Sequence, residues 1–266
     1  MKFDKKMLAC ECVGEQGKEE NGGILTSVIS CEGIDIVKTV IKSEASSKMH
    51  GREAGTYLTV CQGELYKSGE FLRDKLARAV SFSLTSLISE LNPTPENFLF
   101  VGLGNRELSS DKIGVTIYDY LAPIKPKNRH SPALSLISPG VTSSGGIEAL
   151  DHIRGLIKTK FFDCVIVADS LLTTKPERLL TTVQISSTGI TPASGTRTLD
   201  TENTPKMREI SHKTLGIPVI SLGVPTVIHF GDRLYTPYTI DLEIEPIAKI
   251  IAEAINFSLT GTGGGA

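Results

Sequence analysis

Short, continuous apolar segments constrain the fold of this chain more than any other feature of its sequence. Three of them, residues 98–103, 164–168 and 219–222, each lead into a loop that begins near a glycine or a polar residue. Strands without polar alternation are typical of a sheet that is buried on both faces. Because helical stretches lie between these strands, the pattern predicts an α/β fold, a three-layer sandwich around a largely parallel sheet.

Periodic apolar residues predict the other elements. Over residues 71–91 an apolar residue recurs at every fourth position from Leu72 to Ile88, which indicates a helix that ends before the Asn-Pro-Thr-Pro sequence at 92–95. Further helices are predicted over 147–157 and 247–259, and further strands over 33–42, 56–60 and 183–185. We expect one domain over residues 1–259, with a partly irregular N-terminal segment at 1–30 and a flexible tail at 260–266.

Composition narrows the class of protein. The chain has 266 residues, with 28 Lys and Arg against 30 Asp and Glu, and a formal net charge of -2. This balance argues against a surface for nucleic-acid phosphates and against a polybasic membrane patch. No apolar run reaches the roughly 18 residues of a membrane span, and no apolar core of a secretory signal is present. We therefore expect a cytoplasmic protein with reduced thiols and with neither nucleic acid nor membrane as a partner.

Two aspartates stand out at the predicted ends of strands. Asp169 directly follows the segment 164–168, and Asp111 follows the loop after the segment 98–103. Ligands of open α/β sheets bind at this edge, and two carboxylates held close together cannot both ionise. Such a pair can activate water with one member and protonate a leaving amine with the other. Two other roles stay open, which are a helix cap at Asp169 and a divalent cation held by both residues.

Other templates of catalysis and cofactor binding find no match. Glu107 stands where a dinucleotide-binding loop after Gly102 and Gly104 needs a third glycine, so this loop is best explained as a tight turn. The sequence has neither a nucleophile-elbow motif nor a His-Glu-x-x-His motif, and we expect no cofactor. Of the five scattered histidines, we keep only His130 as a candidate site residue. Cys164 lies inside a predicted buried strand and is expected to pack in the core.

Five sequence blocks in a fixed order are specific to one family. They are VGLGN followed by SSDKIG, then SPGVTSSGGIEA, VIVADSL, ERLLTTVQISSTGI and LGIPVISLGVPTVI. In this order they resemble the blocks GLGN…TPDALG, TPGV…TGIET, AIDAL, STIQISDTGI and LGVPVIAIGVPTVV of the germination protease family of spore-forming Firmicutes. The C-terminal sequence YTPYTIDLEIEPIAKIIAEAINFSL is also similar to the last segment of that family.

The resemblance implies an aspartic-type endopeptidase that degrades small acid-soluble spore proteins during germination. It implies a homotetramer in the spore core or forespore, and a fold similar to that of hydrogenase maturation proteases. The two aspartates of the family correspond to Asp111 and Asp169. We add four candidate substrate-binding residues, which are Asn105, His130, Ser187 and Thr188. The family is made as a zymogen, and its N-terminal motif falls here at residues 6–11, so we expect no long propeptide-dependent latency.

Two of the chain's departures from the family concern the predicted substrate-facing region. Ser187 replaces the aspartate of the family's ISDTGI block, and the segment after Gly195 differs from the family's G-V-G-N. Two alternatives therefore stay open, a metal-dependent relative of the maturation proteases and a catalytically silent protein that binds spore proteins. Few nitrogen or sulfur ligands lie near Asp111 and Asp169 in the sequence, so we favour a pair that works without a metal.

Overall fold

A computed structural model describes residues 8–13, 23–61, 69–92, 94–128, 131–141, 145–192 and 209–261. The strands in these ranges are β1 Ile24–Cys31, β2 Ile34–Ile41, β3 Gly55–Cys61, β4 Asn97–Gly102, β5 Ala133–Ile137, β6 Cys164–Thr173, β7 Thr182–Ser186, β8 Val219–Phe230 and β9 Arg233–Tyr235. The helices are α1 Ala9–Val13, α2 Glu44–His50, α3 Glu70–Leu91, α4 Ile113–Tyr120, α5 Ala149–Thr159, α6 His212–Leu215 and α7 Ile240–Thr260. Two short 3-10 turns, Ser109–Asp111 and Pro176–Arg178, complete the described elements.

All the described strands belong to one mixed sheet. Its order is β1-β2-β3-β7-β8-β6-β4-β5, with β9 paired to β8. The strands β5, β4, β6 and β8 run parallel to one another, whereas β7, β3, β2 and β1 form an antiparallel half. The α/β class is confirmed, and the predicted parallel character holds only for the half made of β5, β4, β6 and β8. The reason is local at β1 and β2, because a two-residue turn at Glu32 and Gly33, both with positive φ, joins them as a hairpin.

Helices cover both faces of the sheet, which confirms the three-layer sandwich. On β4, Phe98 and Phe100 point to the layer of α3, α4 and α7. Leu99 and Val101 point to the opposite layer, where Ile153 of α5 lies in the same apolar cluster. Successive side chains of a strand point to opposite faces, and here both faces are apolar. This arrangement explains the unbroken apolar sequence of the parallel strands.

Several predicted boundaries differ from the observed ones. The helix predicted over 71–91 is α3, but α7 begins at Ile240, well before the predicted 247. Strand β6 continues to Thr173 instead of ending at 168, because β6 and β8 keep pairing beyond the end of β4. Strand β1 was not predicted, and it occupies the end of the segment expected to be partly irregular. The predicted tail lies outside the described residues from 262 onward, and no helix within the described ranges has the length and apolarity to cross a membrane.

Candidate functional site

A glycine turn at the end of β4 organises the candidate site. Leu103 donates its N–H to the carbonyl of Ala168 at 2.9 Å, and Asn105 donates its N–H to the carbonyl of Asp111 at 3.0 Å. Between them, Gly104 has a φ of 119°, and a Cβ atom there would lie 1.8 Å from the carbonyl oxygen of Asp111. Only glycine fits this position. The segment 103–105 therefore contacts both regions that carry the candidate aspartates.

Asp111 is the last residue of the 3-10 turn before α4, and it is buried with 4% of its surface exposed. Its Oδ2 atom accepts a hydrogen bond from the N–H of Asn105 at 3.1 Å. Thr226 of β8 fixes the same turn, because its hydroxyl donates to the carbonyl of Ser110 at 2.6 Å. The glycine turn thus binds the side chain of Asp111, and β8 binds the backbone of the 3-10 turn that carries it.

Asp169 lies inside β6 and not after it, so the predicted strand end is wrong. It is 1% exposed, and its Oδ1 atom accepts the N–H of Ser170 at 2.8 Å. Its Cα partner on β8 is Gly223, whereas β4 ends opposite Ala168. Asp169 is therefore the first residue of β6 beyond the carboxyl end of β4. A role as a helix cap is excluded by this position within a strand.

Helix α4 packs unusually close to the strands that carry the site. A Cβ atom at Gly114 would lie 2.3 Å from the carbonyl oxygen of Ala168 and 2.4 Å from that of Leu103. A Cβ atom at Gly102 would in turn lie 2.4 Å from the carbonyl oxygen of Gly114. This backbone-to-backbone packing brings the Asp111 turn and the Asp169 strand to one place. The assignment of the two aspartates as catalytic stays a prediction.

A small pocket on β7 and β8 is lined by both polar and apolar residues, and it includes Gly223, the cross-strand partner of Asp169. Its lining includes Tyr57, Leu171, Gln184, Ser186, Thr188 and Ser221. The hydroxyl of Ser186 is 2.7 Å from that of Ser221 and 3.1 Å from that of Thr188. Arg52 is buried and its guanidinium lies over the ring of Tyr57, 5.9 Å from the ring centre. Adjacent hydroxyl groups in a cleft are suited to bind the polar backbone of a peptide.

The four predicted substrate-binding residues have different surroundings. Thr188 lines the pocket, whereas Ser187 is tied to β3, where its Oγ atom accepts the N–H of Thr56 at 3.0 Å. Asn105 belongs to the glycine turn, and its Oδ1 atom accepts the N–H of Glu107 at 3.0 Å. His130 lies outside the described residues. The structure thus places Asn105 beside Asp111 and Thr188 in the pocket, while Ser187 supports a strand.

Comparison with known proteins identifies the family. The family model described as germination protease matches residues 4–234. The chain belongs to the germination protease family. Curated germination proteases of Bacillus thuringiensis subsp. konkukian (strain 97-27) and Bacillus mycoides (strain KBAB4) are 34% and 33% identical to it over 239 residues. These alignments cover 86% of this chain but 63% of each relative, so the chain spans under two thirds of their length.

The resemblance seen in the five sequence blocks is confirmed by these matches. Among solved structures, the chain is similar to a NiFe hydrogenase maturation protease, HycI from Thermococcus kodakarensis KOD1. The identity is 16% and the TM-score 0.35, and the alignment covers 65% of this chain and 99% of that one.

In the ranges that the structure describes, no group of three or more His, Cys, Asp or Glu residues is placed to hold a metal ion. Cys164 packs in the core as predicted, and burial together with the charge of Asp163 raises the pKa of its thiol to about 12. This thiol is therefore protonated at neutral pH and is a poor nucleophile.

Sequence reasoning missed the residues that connect distant segments to the site. Thr226 fixes the Asp111 turn from 116 positions away, and Gln184 binds the backbone of Ala9 from 175 positions away. Glu11, at the end of the N-terminal motif, binds the end of β6. Glu11 belongs to the motif at residues 6–11, and Gln184 and Thr226 belong to two of the family blocks, but these signals do not show which groups the three residues bind.

Proposed function

We propose that this germination protease family member is an endopeptidase that acts in spore germination, with Asp111 and Asp169 as its catalytic pair. The observation that carries the proposal is the burial of both aspartates around one glycine turn at the carboxyl end of β4. Ligands of open α/β sheets bind at such an edge. The hydroxyl groups of the small pocket on β7 and β8, which includes the cross-strand partner of Asp169, are proposed to contact the substrate backbone.

The proposed mechanism uses the two carboxyl groups in different protonation states. The ionised carboxylate takes a proton from a water molecule, whose oxygen forms a bond to the scissile carbonyl carbon. The protonated carboxyl group gives its proton to the leaving nitrogen as the carbon–nitrogen bond breaks. Two like charges held close together favour this shared proton over two ionised groups. The products are one new carboxyl group and one new amine, and no other reactant is needed.

The proposed substrates are small acid-soluble spore proteins, and the proposed setting is the cytoplasm of the spore core or forespore. A polypeptide substrate suits a pocket whose hydroxyl groups, on Ser186, Thr188 and Ser221, can each donate and accept hydrogen bonds. The membership of the family supports this substrate class. A homotetramer is proposed on the same basis.

The test is to change each aspartate to its amide, which removes the proton-transfer group and leaves the shape nearly unchanged. We expect Asp111→Asn and Asp169→Asn each to lower kcat for a purified small acid-soluble spore protein by roughly 10²–10⁴-fold. Circular dichroism and the unfolding midpoint should stay close to those of the wild type. Asp119→Asn is the matched control, because Asp119 is a half-exposed carboxylate of α4 that pairs with Arg106.

Two results would contradict the proposal. Near-normal cleavage by either amide variant would exclude that aspartate from the chemistry. A wild-type enzyme that loses activity in EDTA, and regains it with one equivalent of a single divalent ion, would favour the metal-dependent alternative. We expect activity to survive EDTA, because the proposed steps need only the two carboxyl groups.

A further inference from the structure

Residues 8–10, at the start of the N-terminal segment 8–13, are buried against the face of the sheet that carries the pocket. Leu8 and Ala9 are 0% exposed and Cys10 is 1% exposed. The helix α1 has only five residues, which is too few to be stable in isolation. Its conformation therefore depends on the contacts it makes with the sheet.

One of these contacts reaches the strand that lines the pocket. The N–H of Ala9 donates to the Oε1 atom of Gln184 on β7 at 2.7 Å. Gln184 lines the pocket, and its Cα partner on β8 is Gly223. Gly223 is also the Cα partner of Asp169 on β6. The backbone of Ala9 thus binds the side chain of Gln184. Gln184 lies in the same cross-strand row as Asp169, two strands away from it.

A second contact reaches the strand that carries Asp169. The carboxylate of Glu11, with a side chain that is 2% exposed, accepts the hydroxyl of Thr173 and both the N–H and the hydroxyl of Thr174. The two bonds from Thr174 are each 2.9 Å long. Arg178 adds a positive charge, with its Nε atom 3.9 Å from the same carboxylate. Hydrogen bonds to a charged acceptor are stronger than neutral ones.

The end of β6 needs such support because of how the sheet is built. Strand β4 ends opposite Ala168, so from Asp169 onward β8 is the strand neighbour of β6 among the described strands. An exposed strand edge presents backbone groups that need other partners. Glu11 supplies an acceptor for the N–H of Thr174, just where β6 ends.

We propose that residues 8–13 are a positioning strap for the candidate site, with Glu11 as the positioning residue. The strap binds β6 and β7, which lie on the two sides of β8. It therefore holds Asp169 on β6 and the pocket residues on β7 in fixed positions relative to each other. Its effect on catalysis rests on the proposed function, whereas its effect on the strands does not. Displacement of a catalytic group by about 1 Å can cost on the order of a hundredfold in rate, so a loosened strap should lower kcat.

The experiment compares two carboxylates that hold the opposite ends of the same strand. Asp163, just before β6, accepts the N–H groups of Glu96 at 3.0 Å and Asn97 at 2.7 Å. Glu11→Ala and Asp163→Ala each remove a carboxylate that binds backbone N–H groups, but only Glu11 binds beyond Asp169. Glu11→Gln keeps the side-chain volume and one acceptor oxygen. It replaces Glu11→Ala in the comparison with Asp163→Ala if Glu11→Ala does not fold.

Two measurements are made on the full chain, below the unfolding temperature of each variant. In Glu11→Ala we expect faster amide hydrogen exchange at 169–174 and 182–186, and a kcat lowered roughly 10- to 100-fold with a smaller change in KM. In Glu11→Gln, the hydrogen exchange and the kcat should both lie between those of Glu11→Ala and the wild type. Asp163→Ala should lower the unfolding temperature but leave kcat unchanged.

Unchanged amide hydrogen exchange at 169–174 in the Glu11 variants would overturn the proposal that residues 8–13 hold β6. Equal losses of kcat in Glu11→Ala and Asp163→Ala would overturn its positioning role, because both effects would then follow from lost stability. A wild-type protein without peptidase activity would refute the proposed function, and the exchange data would still decide whether residues 8–13 hold β6 and β7.

Discussion

In the parallel half of the sheet, close backbone packing joins α4 to β4 and β6, whereas in the antiparallel half side-chain hydrogen bonds join β7 and the residue after it to distant segments. In the parallel half, Gly102 and Gly114 let β4, α4 and β6 approach without intervening side chains. In the antiparallel half, Gln184 binds the backbone of Ala9, and Ser187 binds that of Thr56. The candidate site lies where the halves meet, because the aspartates come from the parallel half and β7 contributes to the pocket.

This difference sets how much tolerance each half has toward substitution. A backbone atom cannot move away from a new methyl group without displacing a whole strand or helix. A polar side chain that loses its partner can often reorient or bind water at a smaller cost. We therefore expect glycine substitutions near the aspartates to be the most damaging changes in the chain.

Among the helical glycines, the largest effect is predicted for Gly114→Ala in α4. The added methyl group would meet the carbonyl oxygens of Ala168 in β6 and of Leu103 in the glycine turn after β4, at 2.3 and 2.4 Å. We expect a loss of about 3 kcal/mol or more in the free energy of unfolding, measured by urea denaturation. The proposed peptidase activity should fall with it, because the turn that carries Asp111 leads directly into α4.

Gly155→Ala in α5 is the matched control. Gly155 is also a helical glycine, but no atom lies within 4 Å of the position its Cβ would take. Alanine has the higher helix propensity, so this change should raise the free energy of unfolding by about 0.5–1 kcal/mol. If both variants had similar stability, close packing would not be what distinguishes the parallel half.

Local pattern was sufficient to predict most of the parallel half. Buried strands such as β4 and β6 have unbroken apolar sequences, and α3 has a clear helical period, so each could be located from its own residues. The extension of β6 through Asp169 could not, because it depends on pairing with β8 some fifty positions later. The candidate aspartates were found through the family blocks, since spacing alone does not show which strands are neighbours.

Strand β1 and the side chains that bridge distant segments were harder to predict, for a physical reason. Strand β1 has both polar and apolar residues at its exposed positions, the apolar ones including Leu25 and Val28, so its sequence shows no clear alternation. The roles of Gln184 and Glu11 depend on contacts with residues more than 160 positions away. A sequence shows which groups can form hydrogen bonds, but the fold decides which of them meet.

A smaller effect is predicted for the hairpin that begins the antiparallel half. Gly33 has a φ of 80° with no atom within 4 Å of a Cβ, so backbone conformation alone favours glycine there. Gly33→Ala should cost about 1–2 kcal/mol in the free energy of unfolding, which is less than Gly114→Ala. Glu32→Asn is the companion change, because Asn-Gly suits a turn with two positive φ angles and should stabilise the hairpin. A cost at Gly33 equal to that at Gly114 would contradict the comparison.

The smallest effect is predicted for a surface ion pair that joins the Asp111 turn to α7. Lys112 donates to the carboxylate of Asp241, which is about half exposed. Hydrogen bonds from Lys112 and, less strongly, from Ser109 lower the pKa of Asp241 below its ordinary value of 3.8. A lowered folded-state pKa means that the ionised carboxylate stabilises the fold above pH 3.8, and that this stability is lost as the pH falls through the folded-state pKa.

Asp241→Asn should therefore lower the urea midpoint slightly at pH 6, and the difference from the wild type should shrink as the pH falls below about 4. Salt at about 1 M should also shrink it, because exposed charges are screened within a few ångströms at that concentration. The buried carboxylate of Glu11 provides the contrast, since water and ions do not reach it and the effect of Glu11→Gln should change little with salt. If the change in urea midpoint caused by Asp241→Asn depended on neither pH nor salt, packing on α7, and not charge, would hold the Asp111 turn.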